Sequence, residues 1–125
     1  MEELPLYLSL DDVLLLPNRS GIDSRSEVDL GWRLAGREFK LPVISINMDD
    51  VTGVLMAVAM GKAGGLGIVP RFDEPSEQAK KVTEVKKRGV LAAAAIGVKE
   101  TEKERLKVLV EAGIDHISID VAHGQ

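Results

Sequence analysis

The stretch PVISINMDDVTGVLMAVAMGKAGGLGIV, residues 42–69, decides the fold. Val43–Ile46 is a short apolar run, suited to a buried strand. Asp49 and Asp50 follow it. Short acidic side chains there can accept the free N–H groups of a helix's first turn, so they predict a helix near Val51–Ala63. Gly64 and Gly65 supply the left-handed stop. Leu66–Val69 is a second apolar run, closed by Pro70. Strand, helix, strand in that order is the pattern of a parallel βαβ unit.

Downstream the cycle repeats. Asp73 or Ser76 is the expected cap of a helix reaching Arg88, with Ala79, Val82 and Val85 at helical spacing and lysines on the outer face. Gly89 ends it. Val90–Val98 is small and apolar throughout, as a strand covered on both faces should be. Thr101 and Glu104 read as a capping box, Leu106, Leu109 and Val110 as the inner face of the helix they open, and Gly113 as its stop. Ile114–Ile119 is a fourth strand. Upstream, Met1–Lys40 hold turn formers (Pro5, Pro17, Asn18, Ser20, Gly21), charges and short apolar runs such as Val13–Leu16. Val28–Leu34 is the expected strand there, because Val28, Leu30, Trp32 and Leu34 alternate with other residues.

The expected order is an N-terminal arm with short strands over residues 1–40, then β-α-β-α-β-α-β over 41–125. This is an α/β chain with a parallel sheet, either doubly wound or part of a (β/α)8 TIM barrel. A complete barrel needs about 250 residues, so four parallel strands with three helices are half of one.

Composition narrows the function classes. Sixteen Lys+Arg against twenty Asp+Glu leave a net charge of −4, which gives no electrostatic footprint for nucleic acid. The absence of cysteine excludes a disulfide framework, a Cys-ligated metal and a thiol nucleophile within these 125 residues. No apolar run approaches the roughly 20 residues needed to cross a bilayer, so no membrane partner is expected. The start, MEELPLYLSLDD, is acidic and lacks the basic opening of a signal peptide. The expected location is cytoplasmic.

Two polar clusters fall at strand ends, where α/β folds place ligand groups. The first is Asn47-Met48-Asp49-Asp50. Capping accounts for Asp49 and Asp50, but a cap needs neither Asn47 nor Met48. The second is Asp120-Val121-Ala122-His123-Gly124, whose plainer reading is a structural Asp–His hydrogen bond. Arg71, after the second strand, reads either as a group for an anionic or stacking ligand or as a solvated loop arginine. Ala63-Gly64-Gly65-Leu66-Gly67 precedes a strand instead of a helix, so it reads as a turn with close packing and not as a phosphate loop. His116 and His123 are seven apart, not a helical i, i+4 ligand pair, and no metal site is expected. The polar cluster of the arm (Asp11, Asp12, Arg19, Ser20, Ser24, Arg25) reads by itself as solvated loop.

Together these segments resemble the IMP dehydrogenase/GMP reductase family. Leu10-Asp11-Asp12-Val13-Leu14-Leu15-Leu16-Pro17 resembles its N-terminal signature. Ser45-Ile46-Asn47-Met48-Asp49-Asp50-Val51-Thr52 resembles its first strand and loop. Gly64-Gly65-Leu66-Gly67-Ile68-Val69 and Ile119-Asp120-Val121-Ala122-His123-Gly124 also match. The resemblance covers essentially the whole chain and implies the N-terminal half of a (β/α)8 barrel. It implies that Asn47, Met48 and Asp49 lie at the barrel mouth near a purine nucleotide. It implies that Asp120, Val121 and Ala122 face a nicotinamide cofactor, NAD or NADP. Ser24 and Arg25 resemble a reductase-type segment that helps bind the cofactor's adenosine end.

The departures from the family are specific. Its chemistry runs through a cysteine that forms a covalent thioimidate at purine C2, and this chain has none. No catalytic residue is therefore assigned. Asp50 stands where the family has Thr, and Pro70-Arg71-Phe72 replaces a His-Lys/Arg-Asn segment. Lys86-Lys87-Arg88-Gly89 runs straight into the third strand, with no CBS module between. The first expectation is a truncated half of an IMP dehydrogenase, the NAD-dependent enzyme that oxidises IMP to XMP in guanine nucleotide synthesis. The glycine pattern favours it. The alternative is a fragment of a GMP reductase, which converts GMP to IMP with NADPH; the missing CBS module and Ser24-Arg25 lean that way. A third reading is a non-catalytic, self-associating half-barrel. The implied partners are a purine nucleotide, and either further copies of the chain in a homo-oligomer or a complementing C-terminal half.

Overall fold

A computed structural model describes residues 6–123. The chain opens with an exposed arm containing two single turns of 3-10 helix, Leu10–Asp12 and Arg25–Glu27. Strands β1 (Trp32–Leu34) and β2 (Arg37–Phe39) then form an antiparallel hairpin. The rest alternates: β3 (Ile44–Ser45), α1 (Val54–Ala63), β4 (Leu66–Val69), α2 (Pro75–Lys87), β5 (Ala93–Ile96), α3 (Glu102–Glu111) and β6 (His116–Ile119). Strands β3-β4-β5-β6 lie side by side in chain order and all run parallel. Four sequential parallel strands with three helices are the α/β half-barrel the sequence implies.

The two faces of the sheet are filled differently. Gly67, Val69, Ala94 and Ile96 face the helices. Val69, Ala94 and Ile96 pack with Ala57, Val58, Ala79, Val82, Val85 and Leu109 in the larger core. Gly67 is glycine for a reason of space: a Cβ there would lie 2.5 Å from the Ala57 Cα. On the other face Leu66 and Ala93 pack under Phe39, with Trp32, Leu34, Ile68 and Leu91 around them. The hairpin thus closes the N-terminal end of the sheet's inner face. Its two-residue turn, Ala35-Gly36, has φ of 47° and 78°, the paired positive angles that match the twist of a tight hairpin.

Asp115, just before β6, ties this end together. Its Oδ2 accepts from Lys86 Nζ at 2.8 Å and from the Ala92 N–H at 2.9 Å, and Oδ1 lies 3.8 Å from the Arg37 guanidinium. Burial pushes the Asp115 carboxyl up, but the Lys86 ammonium, the Ala92 amide and Arg37 outweigh it and hold the group below its ordinary value. One carboxylate so joins the hairpin, α2 and the entry to β5.

Several local expectations are corrected. The strand in the arm starts at Trp32 and not at Val28, because Asp29 Oδ1 accepts the Gly31 N–H at 2.8 Å and turns the chain. Its partner β2 carries two charged residues in three and gave no strand signal. Asp49 and Asp50 do not cap α1, which begins at Val54, three residues after the expected Val51, with Gly53 as N-cap. The intervening residues form a turn in which the Met48 carbonyl accepts the N–H groups of Val51 and Thr52, each at 2.9 Å. Neither Asp73 nor Ser76 caps α2. Glu74 is the N-cap and Pro75 occupies the first turn, where a missing N–H costs nothing. The Asp73 carboxylate binds Lys81 instead, at 2.6 Å.

The Thr101–Glu104 capping box is absent. Thr101 stands at the N-cap, but its backbone has helical angles and its side chain makes no capping bond, and Glu104 pairs with Lys107 at 2.6 Å. Val110 points outward and is exposed, while Val108 joins Leu106 and Leu109 against the core. The third strand is confined to Ala93–Ile96, buried at every residue. Strand β3 is not buried: Val43, Ile44 and Ile46 are exposed, because no strand among the described residues lies on its outer side.

Candidate functional site

The C-terminal ends of β3, β4, β5 and β6 lie together along one rim of the sheet. The loop after β3 is anchored from below by Thr52. This buried residue donates its hydroxyl to the Ile46 carbonyl and lies 3.0 Å from Ser45 Oγ. The anchored turn holds Asn47 half-buried and leaves Met48, Asp49 and Asp50 exposed. An amide, a thioether and carboxylates on a fixed turn offer hydrogen bonding beside a flat apolar contact.

After β4, Pro70 is buried and Arg71 reaches sideways. Its Nε lies 3.2 Å from Asp120 Oδ2, beyond the end of β6. The guanidinium is also 6.0 Å from the centroid of the Phe72 ring, within reach of a cation–π contact. Asp120 is placed by its own backbone, whose N–H continues the ladder to the Ile96 carbonyl at 2.8 Å. The Arg71–Asp120 bridge passes over Gly97, where a Cβ would sit 3.7 Å from an Arg71 terminal nitrogen. Of the two readings of Arg71, neither a bare loop arginine nor a waiting anion site describes it. It is paired. Asp120 is correspondingly bonded to Arg71 and not to His123, which is exposed along with Val121 and Ala122. Gly124 lies outside the described residues.

A buried polar network supports the rim from behind. Gln78, fully buried in α2, donates its amide to the carbonyls of Pro70 at 2.8 Å and Ala95 at 2.9 Å. Its Oε1 accepts from Arg105 at 3.0 Å, and Arg105 also donates to the Asp73 carbonyl at 2.9 Å. Arg105 Nε lies 3.2 Å from Glu102 Oε2, which accepts the Gly97 N–H at 2.9 Å. The ends of β4 and β5 are therefore fixed by side chains of α2 and α3. Sequence reasoning missed Gln78, Glu102 and Arg105. The available signal was Gln78 itself, a polar residue beside Ala79 and in line with Val82 and Val85 on the apolar stripe.

Ser24 and Arg25 are not brought to this rim. Both are exposed in the arm, and Ser24 bonds only locally, to the Ser26 amide at 3.3 Å and the Ser26 hydroxyl at 2.8 Å. Asn47, Met48 and Asp49 thus follow β3 at one edge of the sheet and Asp120, Val121 and Ala122 follow β6 at the other, with Arg71 bridged to Asp120 and Ser24 and Arg25 in the arm.

Parallel strands in barrel order, with polar groups at their C-terminal ends, define a segment of an α/β barrel. Comparison with known proteins gives the family. The model of the IMP dehydrogenase / GMP reductase domain matches residues 7–125, and the chain belongs to that family. A GMP reductase of Oenococcus oeni is 40% identical over 116 residues, covering 91% of this chain and 36% of the relative. A GMP reductase of Streptococcus pyogenes is 35% identical over 122 residues, covering 98% and 37%. One of Bacillus subtilis is 33% identical over 116 residues, covering 91% and 35%. The chain thus spans little more than a third of the length of these relatives.

Proposed function

We propose that this chain provides part of the nucleotide and cofactor site of a GMP reductase, the reaction being reduction of GMP to IMP with NADPH. The observation that carries this is the 33–40% identity, over nearly the whole chain, to relatives named GMP reductase. The direct passage from α2 through Lys86-Lys87-Arg88-Gly89 toward β5, with no inserted module, supports it over the IMP dehydrogenase reading. Residues 1–40 are then the arm and 41–125 the half-barrel.

In this reading Asn47, Met48 and Asp49 meet the purine nucleotide. The Met48 thioether offers an apolar contact, and Asn47 offers both a donor and an acceptor. Asp120, Val121 and Ala122 face the nicotinamide cofactor, which supplies the hydride when bound. The donor set fits such a group: the Asp120 carboxylate is only half-covered and can accept hydroxyl or amide hydrogens, with exposed apolar side chains beside it. Arg71 orients that carboxylate. Ser24 and Arg25 serve the adenosine end of a cofactor held at another rim. No thiol is available within these 125 residues to attack C2. Binding, and not turnover, is their share.

Titration of the 125-residue chain with GMP, IMP, NADPH and NAD, followed by amide NMR shifts, tests the reading. Shifts at Asn47–Asp49 with GMP and at Asp120–Ala122 with NADPH are expected. Shifts confined to other surfaces, or a cofactor response to NAD alone, would overturn it. Conversion of either nucleotide by the pure chain would refute the assignment of a binding role only.

A further inference from the structure

We propose that Glu102, in the first turn of α3, is a positioning residue for the cofactor end of the rim. That a cofactor lies there rests on the proposed function; the positioning itself does not.

An acidic residue in the first turn of a helix has an ordinary role, which is to face the free N–H groups and the positive end of the dipole. Helix α3 has two such residues, Glu102 and Glu104. Glu104 behaves as a surface acid: it is exposed and pairs with Lys107 along the helix. Glu102 is turned inward, with 17% of its side chain exposed. Its Oε2 accepts the Gly97 N–H at 2.9 Å and lies 3.2 Å from Nε of Arg105, a side chain that is 12% exposed. The carboxylate therefore clamps the loop that leaves β5.

Gly97 is where the clamp meets the rim. A Cβ built there would sit 3.4 Å from Glu102 Cγ and 3.7 Å from Arg71 Nη1. Glu102 and Arg71 thus close on the same point of the loop. The preceding residue, Ile96, accepts the Asp120 N–H at 2.8 Å, and the Asp120 carboxylate lies 3.2 Å from Arg71 Nε. From the other side, Arg105 donates to the Gln78 amide oxygen at 3.0 Å. Gln78 in turn donates to the carbonyl of Pro70, the residue before Arg71, at 2.8 Å. The links run in a ring through Glu102, Gly97, Asp120, Arg71, Gln78 and Arg105. Both members of the rim ion pair hang on backbone that this ring holds, and the ring is complete within the described residues.

The other end of the rim is held separately. Asn47, Met48 and Asp49 sit on the turn that Thr52 anchors. Among the described residues, the hydrogen bonds that shape that turn run within residues 45–52. Loss of the Glu102 clamp should therefore loosen Arg71 and Asp120 and leave the purine end in place.

The test compares Glu102→Ala, Glu102→Gln and Glu104→Ala in the 125-residue chain by NMR. Glutamine keeps an oxygen for the Gly97 N–H, and alanine does not. Without ligand, the Arg71 Nε–H should exchange with solvent faster in Glu102→Ala, be restored in Glu102→Gln, and stay unchanged in Glu104→Ala. With NADPH, the shifts at Asp120–Ala122 should need about tenfold more cofactor in Glu102→Ala, the size expected for one lost hydrogen bond to a carboxylate. The GMP titration of Asn47–Asp49 should keep its midpoint. Unchanged Arg71 exchange in Glu102→Ala would overturn the proposal. Equal effects of Glu104→Ala would overturn it by reducing Glu102 to a partner of the helix dipole. Equal weakening of GMP and NADPH would do so by making the role merely structural. If NADPH leaves residues 120–122 of the unmodified chain unmoved, the cofactor reading fails, and the Arg71 exchange rate alone decides the positioning role.

Discussion

Replacing Asp115 with alanine removes three partners at one point. The Ala92 N–H loses its acceptor at a residue that is 0% exposed. A hydrogen bond to a charged group there is worth about 1.5–3 kcal/mol, and its loss leaves a buried donor unsatisfied. The Lys86 contact at 2.8 Å adds less, because its side chain is 37% exposed; about 0.5–1 kcal/mol is reasonable for such a screened pair. Arg37, at 3.8 Å and more exposed, adds little. The desolvation of the carboxylate itself works against these gains. Asp115→Ala should therefore cost about 2–3 kcal/mol, a large part of the 5–15 kcal/mol available to a domain. Asp115→Asn keeps an acceptor for Ala92 and should cost about half as much.

Urea unfolding at fixed protein concentration, followed by circular dichroism, measures both. The midpoint should fall with the slope unchanged. The sign with pH is fixed by the lowered carboxyl. The stabilisation is fully present above the unfolded-state value near 3.8 and is lost as pH falls through the lower folded value. The gap between the unmodified chain and Asp115→Asn should thus close below about pH 4, near the ordinary carboxylate range. A loss under about 0.5 kcal/mol for Asp115→Ala, against the 1.5 kcal/mol floor above, would refute the reasoning. So would a gap that persists unchanged to pH 3.

Two further perturbations probe the layers around the rim. Gly67→Ala drives a methyl into the Ala57 backbone and should lower stability by about 1–3 kcal/mol, whereas Gly21→Ala, with nothing within 4 Å, should leave the melting temperature in place. Gln78→Ala strips the Pro70 and Ala95 carbonyls and Arg105 of a partner and should cost about 2–4 kcal/mol. Faster amide exchange at Gly97 should accompany it, since Arg105 steadies the Glu102 carboxylate that accepts that N–H; unchanged exchange would detach the network from the rim.

What could be read from the chain was what depends on neighbours in sequence. Apolar runs at Leu66–Val69 and Ala93–Ile96, and left-handed stops at Gly64, Gly89 and Gly113, are local, and they mark the βα rhythm directly. Caps were read less well. Asp49, Asp73 and Thr101 have the right chemistry, but a turn occupies the first place, Lys81 takes the second carboxylate, and the helical backbone of Thr101 leaves its hydroxyl without a capping bond. The rim was located because strand ends follow from strands. Its central pair was not, because Arg71 and Asp120 are 49 residues apart and only the register of β4, β5 and β6 makes them neighbours. The same holds for Asp115, whose lysine and amide partners are 29 and 23 residues away.

Trp32 is the chain's single tryptophan. Its indole N–H donates to the Leu41 carbonyl at 3.0 Å, and its ring lies 5.2 Å from that of Phe39. Indole emission would then come from one place, the hairpin on the sheet's underside. Tyr7, in the exposed arm, is the only other strong ultraviolet chromophore. The molecule thus carries separate optical labels on its plug and on its arm. Release of the hairpin can be timed apart from loss of the sheet, without attaching any dye.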